Sequence, residues 1–102
     1  MSLKKQYLKS RPVCKVTFRL DKEAAQKADS VHLAGDFNNW GTQKTPMKQL
    51  KNGAFTVTLE LPVNRQYQFR YLINQKRWEN DWEADKYVPS GISNTENSVV
   101  AV

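Results

Sequence analysis

Tryptophan and amide side chains are the residues of this sequence whose types best suit binding chemistry. Trp40 follows the polar, glycine-containing residues 35–39, which are typical of a tight surface turn, so we expect its ring to face solvent rather than to cover the core as a lid. A sugar ring has an apolar C–H face and a rim of hydroxyls, and an exposed indole flanked by amides and a charged group can bind both. The residues that supply this chemistry are Trp40, Trp78, Asn38, Asn39, Gln68, Arg70 and Asn97.

Spacing alone does not show which tryptophan would join Trp40 in such a site. Trp78 and Trp82 lie four residues apart, which places both on the same side of an extended strand. The sequence leaves open which of the two is exposed and which belongs to the core. For a sugar site we expect Trp40 and its partner to be exposed and roughly coplanar on one surface.

Four acidic residues alternate with other residues in the segment 79–85, and a pair of carboxylates is what glycosidases use. So short a chain offers nothing that would bury one acid and raise its pKa, and nearby cations suit ordinary surface ion pairs. The segment also lacks the glycine turn and ligand spacing of a known calcium loop. We therefore expect a solvated face formed by Glu79, Asp81, Glu83 and Asp85, with Lys76, Arg77 and Lys86 nearby, and no catalytic site.

Cys14 and His32 are the one cysteine and the one histidine of the chain. On adjacent strands they could be imagined as a nucleophile and its base, but Cys14 falls in an inward-facing row, where a thiol usually fills space. Neither residue is assigned a role. A lone cysteine cannot form an internal disulfide, and the two residues are too few for a zinc site, so we expect no metal and no cofactor.

The formal net charge of +6 is concentrated at the start of the chain. The first 20 residues contain six basic side chains and no acidic one, whereas the other 82 contain ten of each. We expect residues 1–12 to form a basic arm that is solvated and frayed. Binding of nucleic acid through this arm is the less favoured interpretation.

Length and composition favour one small domain over an enzyme. A chain of 102 residues with 39% apolar content has room for one core, which we assign to residues 13–102. An active site walled by its own barrel needs roughly 200 residues or more, so a binding module is expected. No run approaches the roughly 18 apolar residues of a membrane span and the start has no apolar stretch of signal-peptide type, which makes the cytoplasm the expected location.

Alternation of apolar and polar residues predicts short β-strands along most of the chain. The Asn52-Gly53 pair marks a hairpin, and residues 22–28, after the candidate N-cap Asp21, predict one or two helical turns. Together these signals predict an all-β, immunoglobulin-like antiparallel sandwich of six to eight short strands. The residues expected to face the core are Cys14, Val16, Phe18, Leu20, Val31, Leu33, Phe55, Val57, Leu59, Leu61, Tyr67, Phe69, Tyr71 and Ile73.

Several of these motifs occur together in one known family. The stretch V-H-L-A-G-D-F-N-N-W at residues 31–40 resembles the signature of family 48 carbohydrate-binding modules. These are early-set sandwich domains found at the front of isoamylases and glycogen-branching enzymes and in the β-subunit of AMP-activated protein kinase. The similarity covers roughly the last 70 residues and the strand at 14–20. It continues through Pro46-Met47, the run N-G-A-F-T-V-T-L-E-L-P, the strand Y-Q-F-R-Y, Trp78 with Asp81, and the closing N-S-V-V.

The resemblance implies a non-catalytic accessory domain that binds glycogen, starch or maltooligosaccharide. It implies that Trp40 and Trp78 stack on consecutive glucose faces and that Asn97 bonds sugar hydroxyls. Gln68 stands where the family has a lysine, which removes a charge but keeps a donor and an acceptor. The family's tight D-G turn before the second tryptophan is replaced by the longer N-Q-K-R of residues 74–77. Arg70 and Asn39 are further candidates for hydroxyl contacts on their chemistry.

Three hypotheses follow for the partner of this domain. The first is an α-glucan, bound by aromatic stacking and hydroxyl hydrogen bonds. The alternative is a protein, such as a separately encoded glucan-metabolising enzyme, docked on a face or edge strand. Nucleic acid bound through the basic arm is the third, and its affinity alone would fall steeply with salt.

Overall fold

A computed structural model of the chain describes residues 3–92 and 94–102, which form two antiparallel β-sheets packed face to face. The first sheet has the strand order β1-β2-β5-β4; the second has the order β3-β6-β9-β8, and β7 also pairs with β6. The predicted all-β sandwich is therefore confirmed. The strands are β1 (Leu3–Tyr7), β2 (Val13–Leu20), β3 (Val31–Gly35), β4 (Lys48–Gln49), β5 (Phe55–Pro62), β6 (Gln66–Ile73), β7 (Arg77–Glu79), β8 (Lys86–Pro89) and β9 (Glu96–Ala101).

The core lies between the two sheets and follows the predicted period of two. Every second residue of β2, from Cys14 to Leu20, is buried, and so is every second residue of β6 from Tyr67 to Ile73. Phe18 of the first sheet meets Phe69 of the second edge to face, with 5.0 Å between ring centroids. Val57 and Leu59, which were also expected to face the core, pack against it but are only partly buried.

Two local predictions hold with changes in detail. The predicted helical turns form one short helix, α1 (Lys22–Ala25), but the Asp21 side chain does not cap it and instead accepts a hydrogen bond from Arg19 Nε at 3.0 Å. The Asn52-Gly53 hairpin joins β4 to β5, and only Gly53 has a positive φ, of 92°. The Asn52 carboxamide oxygen accepts a hydrogen bond from the Ala54 amide at 2.9 Å, which closes the turn.

The basic arm is the clearest departure from the predicted organisation. Its first two residues lie outside the described residues, but Leu3–Tyr7 pairs along its whole length with β2. Leu3 is buried in the core, and Lys5 forms an ion pair with Asp85 at 2.7 Å. The prediction of a solvated, frayed arm was therefore wrong for Leu3–Tyr7. Its pairing also helps to raise the strand number above the expected six to eight, to nine in the described residues.

The alternating acids do not form one solvated face. Asp81 is buried, with 1% of its surface exposed, and it accepts a hydrogen bond from the Tyr71 hydroxyl at 2.6 Å. Its backbone amide donates to Ser98 Oγ at 2.8 Å. Strand β7 ends at Glu79, so the chain turns and directs Asp81 inward instead of continuing the extended pattern. Glu79 does form the expected surface pair, with Arg77 at 3.0 Å.

Replacement of Tyr71 by Phe tests how much the hydrogen bond between Tyr71 and Asp81 contributes to stability. The substitution keeps the ring and removes the hydroxyl that donates to Asp81. We expect the free energy of unfolding at neutral pH to fall by about 1–3 kcal/mol, because a buried carboxylate loses a donor. Urea unfolding followed by circular dichroism measures it, and an unchanged midpoint would show that the bond contributes nothing.

The same variant predicts a change in pH dependence. Burial, and then the negative charge of Asp81, raise the pKa of the Tyr71 phenol well above its ordinary value of about 10. Above pH 10 the folded protein keeps this proton while the unfolded chain releases it, so stability declines as pH rises, by up to about 1.4 kcal/mol per pH unit. Tyr71→Phe should lose stability less steeply than wild type in this range. Urea unfolding at a series of pH values above 10 measures this. If the free energy of unfolding falls equally steeply with pH in both proteins, the Tyr71 hydroxyl does not cause the decline.

Among the described residues, no helix has the length and apolar character needed to cross a membrane.

Candidate functional site

A groove of about 570 Å³ opens on the outer face of the second sheet. Its floor comes from β6, where Gln68 and Arg70 alternate with the inward residues of the core. Five of the seven predicted binding residues meet here; Asn38 and Asn39 do not line the groove, and Asn39 is exposed. The residues that line it are Trp40, Gln68, Arg70, Trp78, Ser90, Ile92, Thr95 and Asn97.

The turn that carries Trp40 is built from the residues just before it. β3 ends at Gly35, where an added Cβ would lie 2.6 Å from the Gln68 carbonyl oxygen, so only glycine allows so close an approach to β6. Phe37 packs against Phe18 of the core, with 5.5 Å between ring centroids. The side-chain Nδ2 of Asn38 donates to the Leu33 carbonyl oxygen at 2.8 Å, which closes the turn from within. These contacts explain why a polar turn has a fixed shape.

Asp36 connects the Trp40 ring to the floor of the groove. Its Oδ1 accepts a hydrogen bond from the indole Nε1 of Trp40 at 3.0 Å, and its Oδ2 accepts one from the Gln68 amide at 2.8 Å. Asn39 and Trp40 both have left-handed backbones, with φ of 56° and 57°, which is unfavourable for a bulky side chain. The two hydrogen bonds of Asp36, with that of the Trp40 amide to Gly35 O at 2.9 Å, compensate this conformation.

Trp78 reaches the groove from β7, directly opposite Leu72 on β6. The hairpin between the two strands turns without glycine, because Asn74 and Gln75 both take positive φ. Gln75 Nε2 donates to the Thr42 carbonyl oxygen at 2.8 Å, which ties this hairpin to the loop after Trp40. The longer turn of this chain thus brings its tryptophan beside Trp40.

The two indole rings are neighbours but they are not coplanar. Their centroids lie 6.5 Å apart and their planes are inclined by 63°, so the expectation of coplanar rings was wrong. The reason is that one ring stands on a strand and the other on a turn held by Asp36. Trp40 is half-buried, and Trp78 is 42% exposed.

Trp82 lies outside the groove. It is 60% exposed and does not line the groove, so neither it nor Trp78 belongs to the core. Its spacing from Trp78 suggested a shared face, but β7 ends at Glu79 and the extended pattern stops before Trp82. Trp78 is therefore the groove's second ring.

The polar groups of the groove are held in fixed orientations. Asn97 is 8% exposed, and its Nδ2 donates to Gln68 Oε1 at 3.0 Å. This bond leaves the side-chain Oδ1 of Asn97 and the side-chain Nε2 of Gln68 for a ligand. Arg70 Nε donates to the Glu96 carbonyl oxygen at 3.1 Å, which anchors the guanidinium to β9. No carboxylate lines the groove in the described part of the chain.

Sequence reasoning missed the loop between β8 and β9. Ser90 and Thr95 bond to each other through their hydroxyls at 2.5 Å, and the Ser90 amide donates to the Thr95 carbonyl at 3.0 Å. This compact loop presents Ile92, 73% exposed, to the groove. The Ser90-Gly91 pair signals a turn, but nothing in the sequence places an exposed isoleucine beside two tryptophans.

Cys14 and His32 are not a catalytic pair. Cys14 is buried on β2 in the first sheet, whereas His32 lies on β3 in the second, so their strands are not neighbours. His32 Nδ1 instead shares a hydrogen bond with Gln75 at 3.1 Å. In residues 3–92 and 94–102 no group of His, Cys, Asp and Glu side chains is arranged to hold a metal ion.

The chain belongs to the carbohydrate-binding module 48 family, also described as the isoamylase N-terminal domain. The family's model matches residues 13–88, about three quarters of the chain. This confirms the resemblance carried by residues 31–40, and it shows that the chain contains a carbohydrate-binding module, a non-catalytic type of domain. No curated protein matches the sequence significantly.

Asp36→Ala tests how the Trp40 ring is held. In a background with Trp78→Phe and Trp82→Phe, Trp40 is the single tryptophan and is excited selectively over tyrosine. Loss of the Asp36 bond should increase the fast motion of its ring. Time-resolved fluorescence anisotropy measures this as a larger amplitude of the subnanosecond component. Glu23→Ala, which also removes one exposed carboxylate, is the control and should leave the decay unchanged. Identical decays for the Asp36 variant and its parent would show that the ring is held by packing alone.

Proposed function

We propose that this domain binds an α-glucan, such as glycogen, starch or a maltooligosaccharide, in the groove between Trp40 and Trp78. The observation that carries the proposal is the pairing of two partly exposed indoles 6.5 Å apart beside two oriented amides. Indoles cover the C–H faces of sugars, and amides donate to and accept from hydroxyls at once. The groove offers both within one surface.

The inclination of the rings supports a curved ligand. α-1,4-Linked glucose units turn progressively along their chain, whereas β-1,4-linked units form a flat ribbon. Two ring planes inclined by 63° match faces that rotate from one unit to the next better than faces of a ribbon. The geometry therefore favours α-glucan within the wider class of carbohydrates.

The role of each residue follows from its position. Trp40 and Trp78 stack on sugar faces, while Gln68, Asn97 and Arg70 bond hydroxyls from the floor and side of the groove. Because the groove is open to solvent, much of a bound chain stays in water. We expect dissociation constants between about micromolar and millimolar, or about −8 to −4 kcal/mol.

Replacement of Trp78 by Ala should weaken binding of maltoheptaose at least tenfold, which is about 1.4 kcal/mol, because a stacking surface is lost. Trp82→Ala is the matched control, since it removes an exposed tryptophan outside the groove and should change affinity less than twofold. Chemical-shift titration of the labelled protein gives both constants. Equal losses in the two variants, or equal binding of cellohexaose by wild type, would contradict the proposal.

Ile92→Ala tests the loop that sequence reasoning missed. The isoleucine adds an exposed apolar side chain to the rim, so its truncation should weaken maltoheptaose binding by a smaller factor than Trp78→Ala, about threefold. Thermal unfolding should be unchanged, since the side chain packs on little. Full affinity in this variant would mean that the ligand does not reach the loop.

A further inference from the structure

The basic residues at the start of the chain have no part in the proposed glucan groove. The structure places them in β1 and β2 of the first sheet, whereas the groove lies on the outer face of the second. We define the basic face as Lys4, Lys15, Arg19 and Lys48, which lie on outward positions of the first sheet. We propose that this face docks on an acidic protein surface, independently of glucan binding.

The strand register puts these side chains on one surface. Lys4 on β1 pairs with Thr17 of β2, two residues along from Lys15, and both β2 residues alternate with buried ones. On the other side, Arg19 pairs with Thr56 of β5, which pairs with Lys48 of β4. The face thus spans all four strands, and neighbouring strands lie about 4.8 Å apart.

The lysines of the face are not neutralised within the described chain. Arg19 has Asp21 at 3.0 Å, but no ion pair of the described residues includes Lys4, Lys15 or Lys48. All three are exposed. These three lysines equal half of the formal net charge of +6.

Protection of a sheet edge does not explain this arrangement. Lysine on an edge strand hinders pairing with another chain, which could account for Lys4 on β1 and Lys48 on β4. Lys15, however, lies on β2, which is paired on both sides, by β1 and by β5. A positive charge on this interior strand does nothing for the edge. Its cross-strand neighbour Glu60 is paired with Arg11, so the charge of Lys15 is available to an external partner.

The chemistry of the face favours an acidic protein over nucleic acid. Glu60 lies directly opposite Lys15 and pairs with Arg11 at 3.2 Å, so the positive charges of the face are interrupted and do not form the continuous track that a phosphate backbone follows. The outward positions of β2 and β5 hold Thr17 and Thr58 between the charges, with no aromatic ring for a base to stack on. A mixed polar face with a positive excess suits complementary pairing with separate carboxylates.

The test compares two triple variants of the full chain that carry the same net charge. The first, the face variant, carries Lys4→Gln, Lys15→Gln and Lys48→Gln. The control carries the same replacement at three exposed lysines outside the basic face, Lys27→Gln, Lys76→Gln and Lys86→Gln. Binding of fluorescein-labelled poly-L-glutamate is measured by anisotropy at low and at physiological salt. Duplex DNA of similar total charge is titrated in parallel, and maltoheptaose binding is recorded for each protein.

We expect wild type to bind poly-L-glutamate in a salt-sensitive manner, the face variant to bind at least tenfold more weakly, and the control to lose less than threefold. Maltoheptaose affinity should be the same in all three proteins. If wild type does not bind maltoheptaose, the glucan proposal fails while the proposal for the basic face can still hold. Equal losses in both triple variants, absence of binding at low salt, or tighter lysine-dependent binding of DNA would each overturn the proposal.

Discussion

The close approach of the Gly35 backbone to strand β6 is the constraint on which the groove depends. A Cβ at this position would meet the Gln68 carbonyl at 2.6 Å and Phe69 Cβ at 2.8 Å, so β3 can lie this close only because the residue is glycine. The next residue, Asp36, is thereby within reach of the Gln68 amide. Its second oxygen fixes the Trp40 indole. One backbone contact thus determines where the stacking surface stands.

At the other end of the groove, the buried carboxylate of Asp81 fixes the position of strand β9, as Asp36 fixes the Trp40 ring. Asp81 bonds to the Tyr71 hydroxyl in the core and, through its own amide, to Ser98 of β9. Ser98 in turn donates to Asn80 at 2.8 Å, and Asn80 donates to the Glu96 carbonyl at 2.9 Å. The network thus contacts β9 on both sides of Asn97, at the Glu96 backbone and at the Ser98 side chain. Burial of a charge is costly unless it is bonded in this way, so the segment has little freedom to move.

The sequence was most informative where structure depends on local pattern. Period two identified the inward rows of β2 and β6, because a strand with one buried face must alternate. It was misleading at Asp81, where an extended pattern was assumed beyond Glu79 and the strand had already ended. Ile92 and the ring angle of Trp40 and Trp78 depend on how separate loops meet, which no local pattern contains. The family signature located the tryptophans, but their inclination needed coordinates.

The two outer faces of the sandwich differ because their outward residues differ. On the second sheet Ala34, Leu72 and Val99 point away from the main core and are nevertheless buried. Leu72 lies directly opposite Trp78 in the register, so the apolar strip beneath the groove is covered by groove residues.

Covering this strip gives Trp78 a structural role in the free protein. A ring that packs on the sheet is already ordered before a ligand arrives, which lowers the entropy lost on binding. The first sheet has mainly threonine and lysine at its outward positions, which need no apolar cover in the free protein. Stacking chemistry therefore belongs to one face, and only charge and hydrogen bonding remain available to the other.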